Sequence, residues 1–421
     1  MTNQDFIGQT LHDLKRRNLY RRLTTLDSAT GPHVEIDGRT VLQFASNNYL
    51  GLAGDERVRE AATRAIEKWG WGAGASRLVT GHTEAHEALE ADLAAFEGTE
   101  AALVFPTGYM TNLGAVSALV GHGDIVLSDR ENHASLYDAV RLSGALLERF
   151  AHADAGAAAD LLAKYLAPSG PERKRAAAGE AQSAPDSREV RHVLLATDTV
   201  FSMGGDLAPL ADLADACRRR GAMLLVDEAH ATGVLGPTGA GLVEQLGHAP
   251  PAGAAGSCRD VIIATVGTLS KALGGIGGFV AASREVRELL INKARPFIYT
   301  TALPAAACEA ARAALRIVRE EPERRRRVLD LAERLRGILR ARGFDTGSSA
   351  TPIIPVIVGP PERALEMAAR LLDRDIFCPA IRPPTVPPNT SRLRISLTAE
   401  HTEDDVERLV EALAEARGAC A

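Results

Sequence analysis

One lysine beside a run of glycines constrains the fold of this chain more than any other feature. Within residues 265–278, TVGTLSKALGGIGG, Lys271 follows the hydroxyl residues Thr268 and Ser270 and precedes four glycines. So many glycines disfavour helix and strand, because glycine loses the most backbone entropy on ordering. A covalently bound, phosphate-bearing cofactor would order such a loop, since the amine can form a Schiff base and the hydroxyl groups can bind phosphate. The alternative is a flexible surface loop with an ordinary solvated lysine.

An acidic residue upstream favours the cofactor interpretation. The apolar run at 223–226 ends in Asp227 and Glu228, and a second apolar run at 261–265 precedes the lysine loop. If both runs are buried parallel strands, their carboxyl ends bring Asp227 and Lys271 to one crevice. Pyridoxal phosphate (PLP) chemistry requires these two groups, an acid for the pyridinium nitrogen and an amine for the imine. A structural salt bridge at the strand end is the alternative for Asp227 and Glu228.

Several segments of the sequence resemble a known family. TLSKALGGIG (268–277) is similar to the lysine signature of the class II PLP-dependent transferases, and DEAHATGVLG (227–236) is similar to the aspartate motif of the α-oxoamine synthases. The resemblance covers nearly the whole chain. Its other segments are SNNYLGL (46–52), GAGASRLVTG (72–81), TGYMTN (107–112), NHASL (132–136), VFSMGGDLAPL (200–210), FIYTTALP (297–304) and RPPTVPPNTSRLRISLTAEHT (382–402).

The resemblance implies the α/β PLP-dependent transferase fold type I, which is aspartate aminotransferase-like. A chain of 421 residues is long enough for its two parts, a large, mostly parallel sheet domain and a smaller α+β C-terminal domain. We expect an N-terminal arm with a helix and a hairpin at 1–44, the large PLP-binding domain at 45–292 and the smaller domain at 293–421. Residues 167–189 are polar and lack apolar periodicity, which predicts a solvated, mobile insertion. A similar composition at 246–259 predicts a second loop.

Local patterns predict the elements around these motifs. Apolar residues near helical spacing, interleaved with basic ones, predict an amphipathic surface helix within 4–23. HVEIDGRTVLQF at 33–44 predicts a hairpin that turns at Asp37 and Gly38. A further helix is expected at about 84–97.

Composition narrows the classes of function. A formal net charge of −6 gives no reason to expect nucleic acid as a partner. Five dispersed cysteines without a C-x-x-C pair indicate neither a disulfide framework nor a zinc site, and no other metal is expected. The N-terminal segment lacks the apolar core of an export signal, and no apolar run approaches membrane-spanning length. We therefore expect a cytoplasmic enzyme that does not bind membranes.

The resemblance assigns four residues to catalysis. Lys271 would hold PLP, Asp227 would pair with the ring nitrogen, His133 would stack on the ring, and His230 would lie near the phenolic oxygen. All four are also expected cofactor contacts. The alternative for an isolated histidine is a structural or exposed role.

The start of a helix is the predicted phosphate site. Gly108 and Tyr109 follow the apolar run at 101–105 and open a helical stretch, where free amides and the helix dipole favour an anion. Ordinary helix capping is the alternative from these residues alone, and the resemblance favours phosphate. It also implies cofactor contacts for Ser202, Thr268, Ser270 and, across the interface of a homodimer with shared sites, Thr300 and Thr301.

Candidate substrate residues come mainly from the two ends of the chain. Strand alternation in RLRISLT places Arg392 and Arg394 on one face, and a guanidinium group is a planar, bidentate partner for a carboxylate. The resemblance assigns Arg394 to the carboxylate of the amino acid, and an exterior charge is the open alternative for Arg392. It implies substrate contacts also for Arg21, Asn47, Arg382 and Thr385.

Within the family, AIRPPTVP and SRLRISLTA are most similar to the branch that acts in biotin synthesis. This likeness implies a decarboxylative condensation of L-alanine with pimeloyl-CoA, or with a pimeloyl-carrier protein. Three alternatives stay open: a sister condensing enzyme such as glycine C-acetyltransferase or serine palmitoyltransferase, an aminotransferase, and a non-catalytic partner subunit. The presence of Lys271, Asp227, His133 and His230 argues against the last alternative.

Overall fold

A computed structural model of the chain describes residues 3–166, 192–248 and 257–418. The described residues pack as two compact units. The predicted insertion at 167–189, residues 249–256 of the predicted loop at 246–259, and Cys420 lie outside the described residues. The large unit falls within Arg57–Phe201 and Leu207–Glu320, and the small unit falls within Met1–Glu56, Ser202–Asp206 and Glu321–Ala421.

A seven-stranded sheet organises the large unit. Its strands are β3 (Ala101–Phe105), β4 (Ile125–Asp129), β5 (Leu146–Phe150), β6 (Val193–Asp198), β7 (Met223–Asp227), β8 (Ile262–Thr268) and β9 (Gly278–Ala282). The strand order is β3-β9-β8-β7-β6-β4-β5. Strand β9 runs antiparallel to both neighbours, and all other adjacent pairs are parallel. The central strands are apolar and buried, as expected for a parallel sheet covered on both faces.

Helices of the large unit alternate with these strands. They are α2 (Glu56–Trp69), α3 (Glu84–Glu97), α4 (Gly108–Leu119), α5 (Ala134–Ser143), α6 (Ala155–Tyr165), α7 (Leu210–Arg220), α8 (Leu242–His248), α9 (Arg284–Lys293), α10 (Arg295–Ile298) and α11 (Ala305–Glu320). Helices α4, α5 and α9 share an apolar core with the sheet. This core fixes the first turns of α4 and α5 relative to the strand ends.

In its described residues, the small unit contains two three-stranded sheets and four α-helices. Strands β1 (His33–Ile36) and β2 (Arg39–Gln43) form an antiparallel hairpin, and β11 (Ile376–Phe377) pairs in parallel with β2. The second sheet is antiparallel, with β13 (Ser391–Ser396) between β10 (Ile353–Gly359) and β12 (Ala380–Ile381). The helices are α1 (Asn3–Arg16), α12 (Pro322–Ala341), α13 (Pro361–Leu372) and α14 (Glu403–Gly418).

These units confirm the predicted α/β fold class, with a large, mostly parallel sheet and a smaller α+β part. The predicted hairpin is also confirmed, because Asp37 (φ 50°) and Gly38 (φ 71°) adopt the two left-handed conformations that a tight hairpin turn needs. The helix expected at 84–97 is α3.

The structure differs from the predicted boundaries in two ways. The N-terminal helix ends at Arg16 rather than continuing to residue 23, because Asn18 takes a left-handed conformation (φ 56°) that stops a helix. The division of the chain also differs from 1–44, 45–292 and 293–421. Helix α11 packs against α3 and so belongs to the large unit, whereas β2 pairs with β11 and so belongs to the small unit. Within the described ranges, no helix is both long and apolar enough to span a bilayer.

Candidate active site

A cavity of about 230 Å³ lies in the large unit where β6, β7 and β8 end and α4 and α5 begin. The carboxyl ends of parallel strands are the usual ligand-binding edge of an open α/β sheet. The structure therefore gathers at this edge residues that are far apart in the sequence. Eight of the predicted site residues line the cavity: Gly108, Tyr109, His133, Asp227, His230, Thr268, Ser270 and Lys271.

The lysine loop is an ordered turn between β8 and β9. The backbone N–H of Leu269 donates to the carbonyl of Gly277 at 3.0 Å, and that of Gly274 donates to the carbonyl of Lys271 at 2.9 Å. Gly274 (φ 67°) and Gly277 (φ 120°) adopt conformations that residues with a Cβ atom avoid. The glycines thus serve to fold the loop tightly around Lys271, as their spacing predicts.

Close backbone packing surrounds the hydroxyl residues of this loop. The Thr268 hydroxyl donates to a loop carbonyl at 3.0 Å, so the Ser270 hydroxyl is the donor in the 2.8 Å contact between the two side chains. A Cβ atom on Gly108 would lie 3.2 Å from Thr268 Oγ1, and one on Gly278 would lie 2.4 Å from Thr111 Oγ1. Glycine at both positions therefore lets α4 and β9 approach the hydroxyl groups closely.

The start of α4 is suited to bind an anion. Thr107 caps the helix by accepting a hydrogen bond from Met110 N at 3.1 Å. The N–H groups of Gly108 and Tyr109 lie in the first turn, where no carbonyl of the same helix can reach them. The Tyr109 hydroxyl donates to Asp138 at 2.6 Å, so this residue offers its backbone rather than its phenol to the cavity.

Two N–H donors hold the Asp227 carboxylate. Asn112 donates to Oδ2 at 2.6 Å and the backbone of Ala229 donates to Oδ1 at 2.9 Å. The same Asn112 amide donates to Ser135 Oγ at 2.9 Å, and Ser135 Oγ lies 2.7 Å from His133 Nδ1. Hydrogen bonds to the charged form stabilise a carboxylate as an anion. The arrangement therefore fixes the position of both Asp227 carboxyl oxygens.

His133, which caps α5, is a neutral imidazole. Its Nδ1 accepts a hydrogen bond from the backbone N–H of Ser135 at 3.3 Å, so the ring proton is on Nε2. Burial lowers the pKa of His133, and the positive charge of Lys271 lowers it further, while the charge of Asp227 acts in the opposite direction. A neutral ring here leaves the charge of Asp227 available for a positively charged ligand group.

The cavity fits PLP. It offers an amine at Lys271, a carboxyl group held by two N–H donors at Asp227, and a helix start with backbone donors for phosphate. Two buried oxygens on its wall, Asn112 Oδ1 and Asp198 Oδ1, have no hydrogen-bond partner among the described residues. Buried polar atoms are rarely left unpaired, so these atoms are expected to meet a ligand or water.

Glu228, next to Asp227, has a structural role, but it does not form the salt bridge that the sequence suggested. The side chain is fully buried and no cation pairs with it in the part of the chain that the structure describes. Instead it accepts hydrogen bonds from Thr199 Oγ1 (2.7 Å), Leu242 N (3.0 Å) and Val243 N (2.8 Å). Burial raises the pKa of Glu228 to about 7. The residue anchors the start of α8.

Arg394 lies in the small unit with its guanidinium group held from several sides. It donates to Ser202 O (2.5 Å), Asn47 Oδ1 (3.1 Å), Ser396 Oγ (2.6 Å) and Tyr49 Oη (3.5 Å). Its exposed fraction is 7 %. All these partners are uncharged, and no carboxylate pairs with Arg394 within the described residues.

The alternative that Arg392 is an exterior charge is wrong. Its exposed fraction is 6 %, and it donates to the carbonyls of Thr390 (3.0 Å) and Met203 (3.3 Å). The reason is that β13 is the central strand of its sheet and is buried along its whole length. Strand alternation alone does not reveal how much of the protein packs against each face of a strand.

The predicted acyl-substrate residues also lie in the small unit. Burial lowers the pKa of Arg382, and the nearby charge of Arg21 lowers it further. Arg382 donates to the carbonyls of Asn18 and Tyr20. Thr385 is exposed, and its backbone N–H donates to the carbonyl of Arg382 at 3.1 Å. The structure thus brings Arg21, Arg382 and Thr385 together in one region of the small unit.

Three predicted cofactor residues are not among those that line the cavity. Ser202 belongs to the small unit, where its carbonyl accepts from Arg394. Thr300 is half-buried and Thr301 is exposed, both just beyond α10. The two threonines were expected to act in a neighbouring subunit, and that expectation stays a prediction.

Sequence reasoning missed four polar residues of the cavity wall, Asn112, Ser135, Asp198 and Thr107. Helical spacing could have indicated Asn112, because this residue follows Gly108 by one turn on the same face of α4. A second signal was the position of Asp198 at the end of its apolar run, equivalent to that of Asp227.

Comparisons with known proteins agree with this geometry. The family described as aminotransferase class I and II matches residues 39–413. The 8-amino-7-oxononanoate synthase of Anaeromyxobacter dehalogenans is 47% identical over 410 residues, which cover 97% of this chain and 95% of the relative. The enzyme of the same name from Hahella chejuensis is 46% identical over 420 residues, which cover 100% of this chain and 98% of the relative.

Solved structures share the fold over nearly the whole chain. Serine palmitoyltransferase of Sphingomonas wittichii superposes with a TM-score of 0.85 at 30% identity and covers 99% of this chain and 97% of its own. A high-resolution structure of SPT with PLP gives a TM-score of 0.85 at 31% identity, with the same coverage. The 8-amino-7-oxononanoate synthase of Francisella tularensis superposes with a TM-score of 0.71 at 25% identity, and the match covers 90% of this chain and 98% of that chain.

The predicted cofactor and family are confirmed by these comparisons, since the relatives match almost end to end and a matching structure contains PLP. The chain therefore belongs to the class I and II aminotransferase family of PLP-dependent fold type I enzymes and, within it, to the acyltransferases of the 8-amino-7-oxononanoate synthase family.

Proposed function

We propose that the protein catalyses the decarboxylative condensation of L-alanine with a pimeloyl thioester, either pimeloyl-CoA or pimeloyl-carrier protein, in biotin synthesis. The products are 8-amino-7-oxononanoate, the free thiol and CO₂. The observation that carries this proposal is the cavity that gathers Lys271, Asp227, His133 and His230, in a chain whose relatives at 46–48% identity bear the name 8-amino-7-oxononanoate synthase. A cytoplasmic location remains a prediction of the sequence.

The large-unit residues would perform the proton chemistry. When bound, PLP supplies an electron-withdrawing ring that stabilises negative charge at the Cα atom of the amino acid. Asp227, held by Asn112 and Ala229, would keep the ring nitrogen protonated. Lys271 would hold the cofactor through its amine and would also serve as the base for the Cα proton. His133 would contact the ring as a neutral imidazole.

The small-unit residues would bind the two substrates. Arg394 is a buried cation surrounded by uncharged partners, and a carboxylate is the group that a buried guanidinium group pairs with best. We therefore assign it to the carboxylate of the amino acid, with Asn47 as its support. The neighbouring charges of Arg21 and Arg382, together with Thr385, would favour an anionic group of the acyl thioester.

Exposed apolar side chains support a homodimer. Trp71, Val79 and Tyr299 of the large unit have exposed fractions of 72 %, 74 % and 71 %. A backbone hydrogen bond of 3.0 Å between Ala302 and Ala75 joins the two segments that carry them. Clusters of large exposed apolar residues on a folded protein commonly mark an interface.

We propose that this surface is the interface of the homodimer and that Thr300 and Thr301 contact the neighbouring subunit's cofactor. Sedimentation equilibrium of the PLP-loaded protein should give twice the chain mass. A monomer at micromolar concentration would contradict the shared-site arrangement.

A substrate panel tests the proposed reaction. PLP-loaded protein is mixed with L-alanine, glycine or L-serine and with pimeloyl-CoA, pimeloyl-carrier protein, acetyl-CoA or palmitoyl-CoA, and thiol release is followed while products are identified by mass spectrometry. We expect release with L-alanine and a pimeloyl thioester only. Lys271→Ala should abolish release, whereas Lys68→Ala, on an exposed side chain of α2, should retain it.

The second candidate is a sister condensing enzyme. The superposition on serine palmitoyltransferase at 30% identity is the observation that favours it. In the same panel, product formation with L-serine and palmitoyl-CoA, or with glycine and acetyl-CoA, would support this candidate instead. An aminotransferase would change the cofactor absorbance with an amino acid alone and would release no thiol.

A further inference from the structure

Two carboxyl groups lie side by side on the wall of the cavity. Asp198 ends β6 and Asp227 ends β7, and the two residues are direct partners in the parallel register of these strands. Both line the cavity, with exposed fractions of 3 % for Asp198 and 6 % for Asp227. Two buried carboxylates at paired positions of neighbouring strands repel each other, so one of them is expected to keep its proton.

The hydrogen bonds distinguish the two acids. Asp227 accepts two N–H donors, one at each oxygen. Asp198 accepts one, because the backbone N–H of His133 donates to Oδ2 at 3.1 Å. Its other oxygen, Oδ1, is buried and has no partner among the described residues. The asymmetry favours the charged form at Asp227 and the neutral form at Asp198.

The surrounding charges act in the same direction. Burial is the main reason that the pKa of Asp198 lies well above its ordinary value, and the charge of Asp227 raises it further. Lys271 and the hydrogen bond from His133 lower it, and Asp129 at the end of β4 raises it. Tyr137 on α5 also faces this carboxyl group, because the charge of Asp198 contributes to the raised pKa of that phenol. Burial and the neighbouring negative charges thus favour the protonated form of Asp198.

We propose that Asp198 acts as a neutral carboxylic acid that donates a hydrogen bond from Oδ1 to an acceptor atom of the bound cofactor, so that the Asp198 and Asp227 pair carries one negative charge. A single charge matches the single positive charge of a protonated ring nitrogen. Through Oδ2, Asp198 also fixes the backbone of His133 at the start of α5. The inference rests on the proposed role of Asp227, but it does not depend on which amino acid or thioester reacts.

The first test compares the same substitution at the two paired positions. Asparagine is neutral and has both an N–H donor and a carbonyl acceptor. Asp198→Asn therefore preserves the donor and the acceptor of a neutral carboxylic acid, whereas Asp227→Asn removes a negative charge. Titration of the apo-protein with PLP, followed by absorbance, should give a dissociation constant within about threefold of wild type for Asp198→Asn, since the lost energy is under ~1 kcal/mol. Asp227→Asn should weaken binding by about tenfold or more.

Asp198→Ala is the complementary variant, because it removes the donor. PLP binding should weaken by about tenfold, which corresponds to the loss of one hydrogen bond in a buried site. The proposal is overturned if Asp198→Asn behaves like Asp227→Asn, since Asp198 would then act as an anion. It is equally overturned if Asp198→Ala binds PLP as tightly as wild type.

Thermal unfolding of the apo-protein gives a second readout that needs no cofactor. An acid whose pKa is raised on folding makes the wild type less stable as pH rises above the pKa of the unfolded chain, about 4. Asparagine does not titrate, so the Tm of Asp198→Asn relative to wild type should increase steadily from pH 5 to pH 8. A difference that is constant with pH would contradict a neutral Asp198. Neither readout uses turnover, so a failed substrate panel would leave this result intact.

Discussion

Asn112 donates a hydrogen bond of 2.6 Å to the carboxylate of Asp227, although 115 residues separate the two in sequence. The bond joins the first turns of α4, which form the proposed phosphate site, to the acid at the end of β7. The second N–H of the same amide donates to Ser135, which in turn contacts His133. One amide therefore sets the orientation of the acid and, through Ser135, that of the histidine.

Replacing Asn112 by alanine should weaken PLP binding. The substitution removes one of two donors to a buried carboxylate, and a hydrogen bond to a charged group contributes about 1.5–3 kcal/mol, so we expect a roughly 10- to 100-fold higher dissociation constant. Titration of the apo-protein by absorbance measures this. The matched control is Asn292→Ala on α9, where the amide donates only to a carbonyl of its own helix and is exposed. Equal affinities for the two variants would refute the role of Asn112.

Replacing Arg394 by lysine should impair binding of the amino acid while leaving the cofactor in place. Lysine keeps the charge but loses the planar fork that binds a carboxylate through two parallel bonds. We expect the KM for L-alanine to rise by about tenfold or more, with an unchanged absorbance spectrum of bound PLP. Arg392→Lys, two residues away on β13, is the control and should leave this KM close to wild type. A rise only in the KM for the thioester would reassign Arg394 to the acyl substrate.

Two glycine-to-alanine substitutions should shift stability in opposite directions. A Cβ atom at Gly267 would lie 2.2 Å from the ring of the buried Phe279, so Gly267→Ala should destabilise the protein by about 1–3 kcal/mol. At Gly337, inside α12, a Cβ atom would meet nothing within 4 Å, and alanine should stabilise by about 0.5–1 kcal/mol. Differential scanning calorimetry measures both effects. If both variants changed stability in the same direction, local packing would not determine the effect of alanine at these two positions.

The Glu228 carboxyl should make stability depend on pH. Burial raises its pKa from an ordinary value of 4.5 to about 7 in the folded protein, so the folded state holds this proton more tightly than the unfolded chain. The stabilisation is complete below the unfolded pKa and is lost as pH rises through 7. At pH 8 the loss is on the order of 3 kcal/mol.

Glu228→Gln tests this titration. Glutamine cannot ionise, but its NH₂ group takes the place of one oxygen that accepts a hydrogen bond from Leu242 N or Val243 N. Because that hydrogen bond is lost, the variant should be less stable than wild type at pH 5. Its Tm relative to wild type should then increase between pH 5 and pH 8. A Tm difference that stays constant would show that Glu228 does not change its charge between pH 5 and pH 8.

Much of the fold was predictable because its signals are local. The Asp37–Gly38 turn, the helix at 84–97 and the apolar runs that became β6, β7 and β8 each depend on a few neighbouring residues. The lysine loop was predictable for the same reason, since its glycines permit conformations that other residues avoid. Resemblance to a family then supplied the role of His133, which no local pattern defines.

Other features of the site depend on contacts between distant segments. The sequence placed Asp198 at the end of an apolar run, but only the strand order β8-β7-β6 puts it beside Asp227. The burial of Arg392 required knowledge that β13 is a central strand, and the partner of Asn112 required the packing of α4 over the sheet. Chemical identity and local conformation are properties of the sequence by itself. Which polar groups share a buried surface, and hence which of them ionise, is decided only when tertiary packing removes them from water.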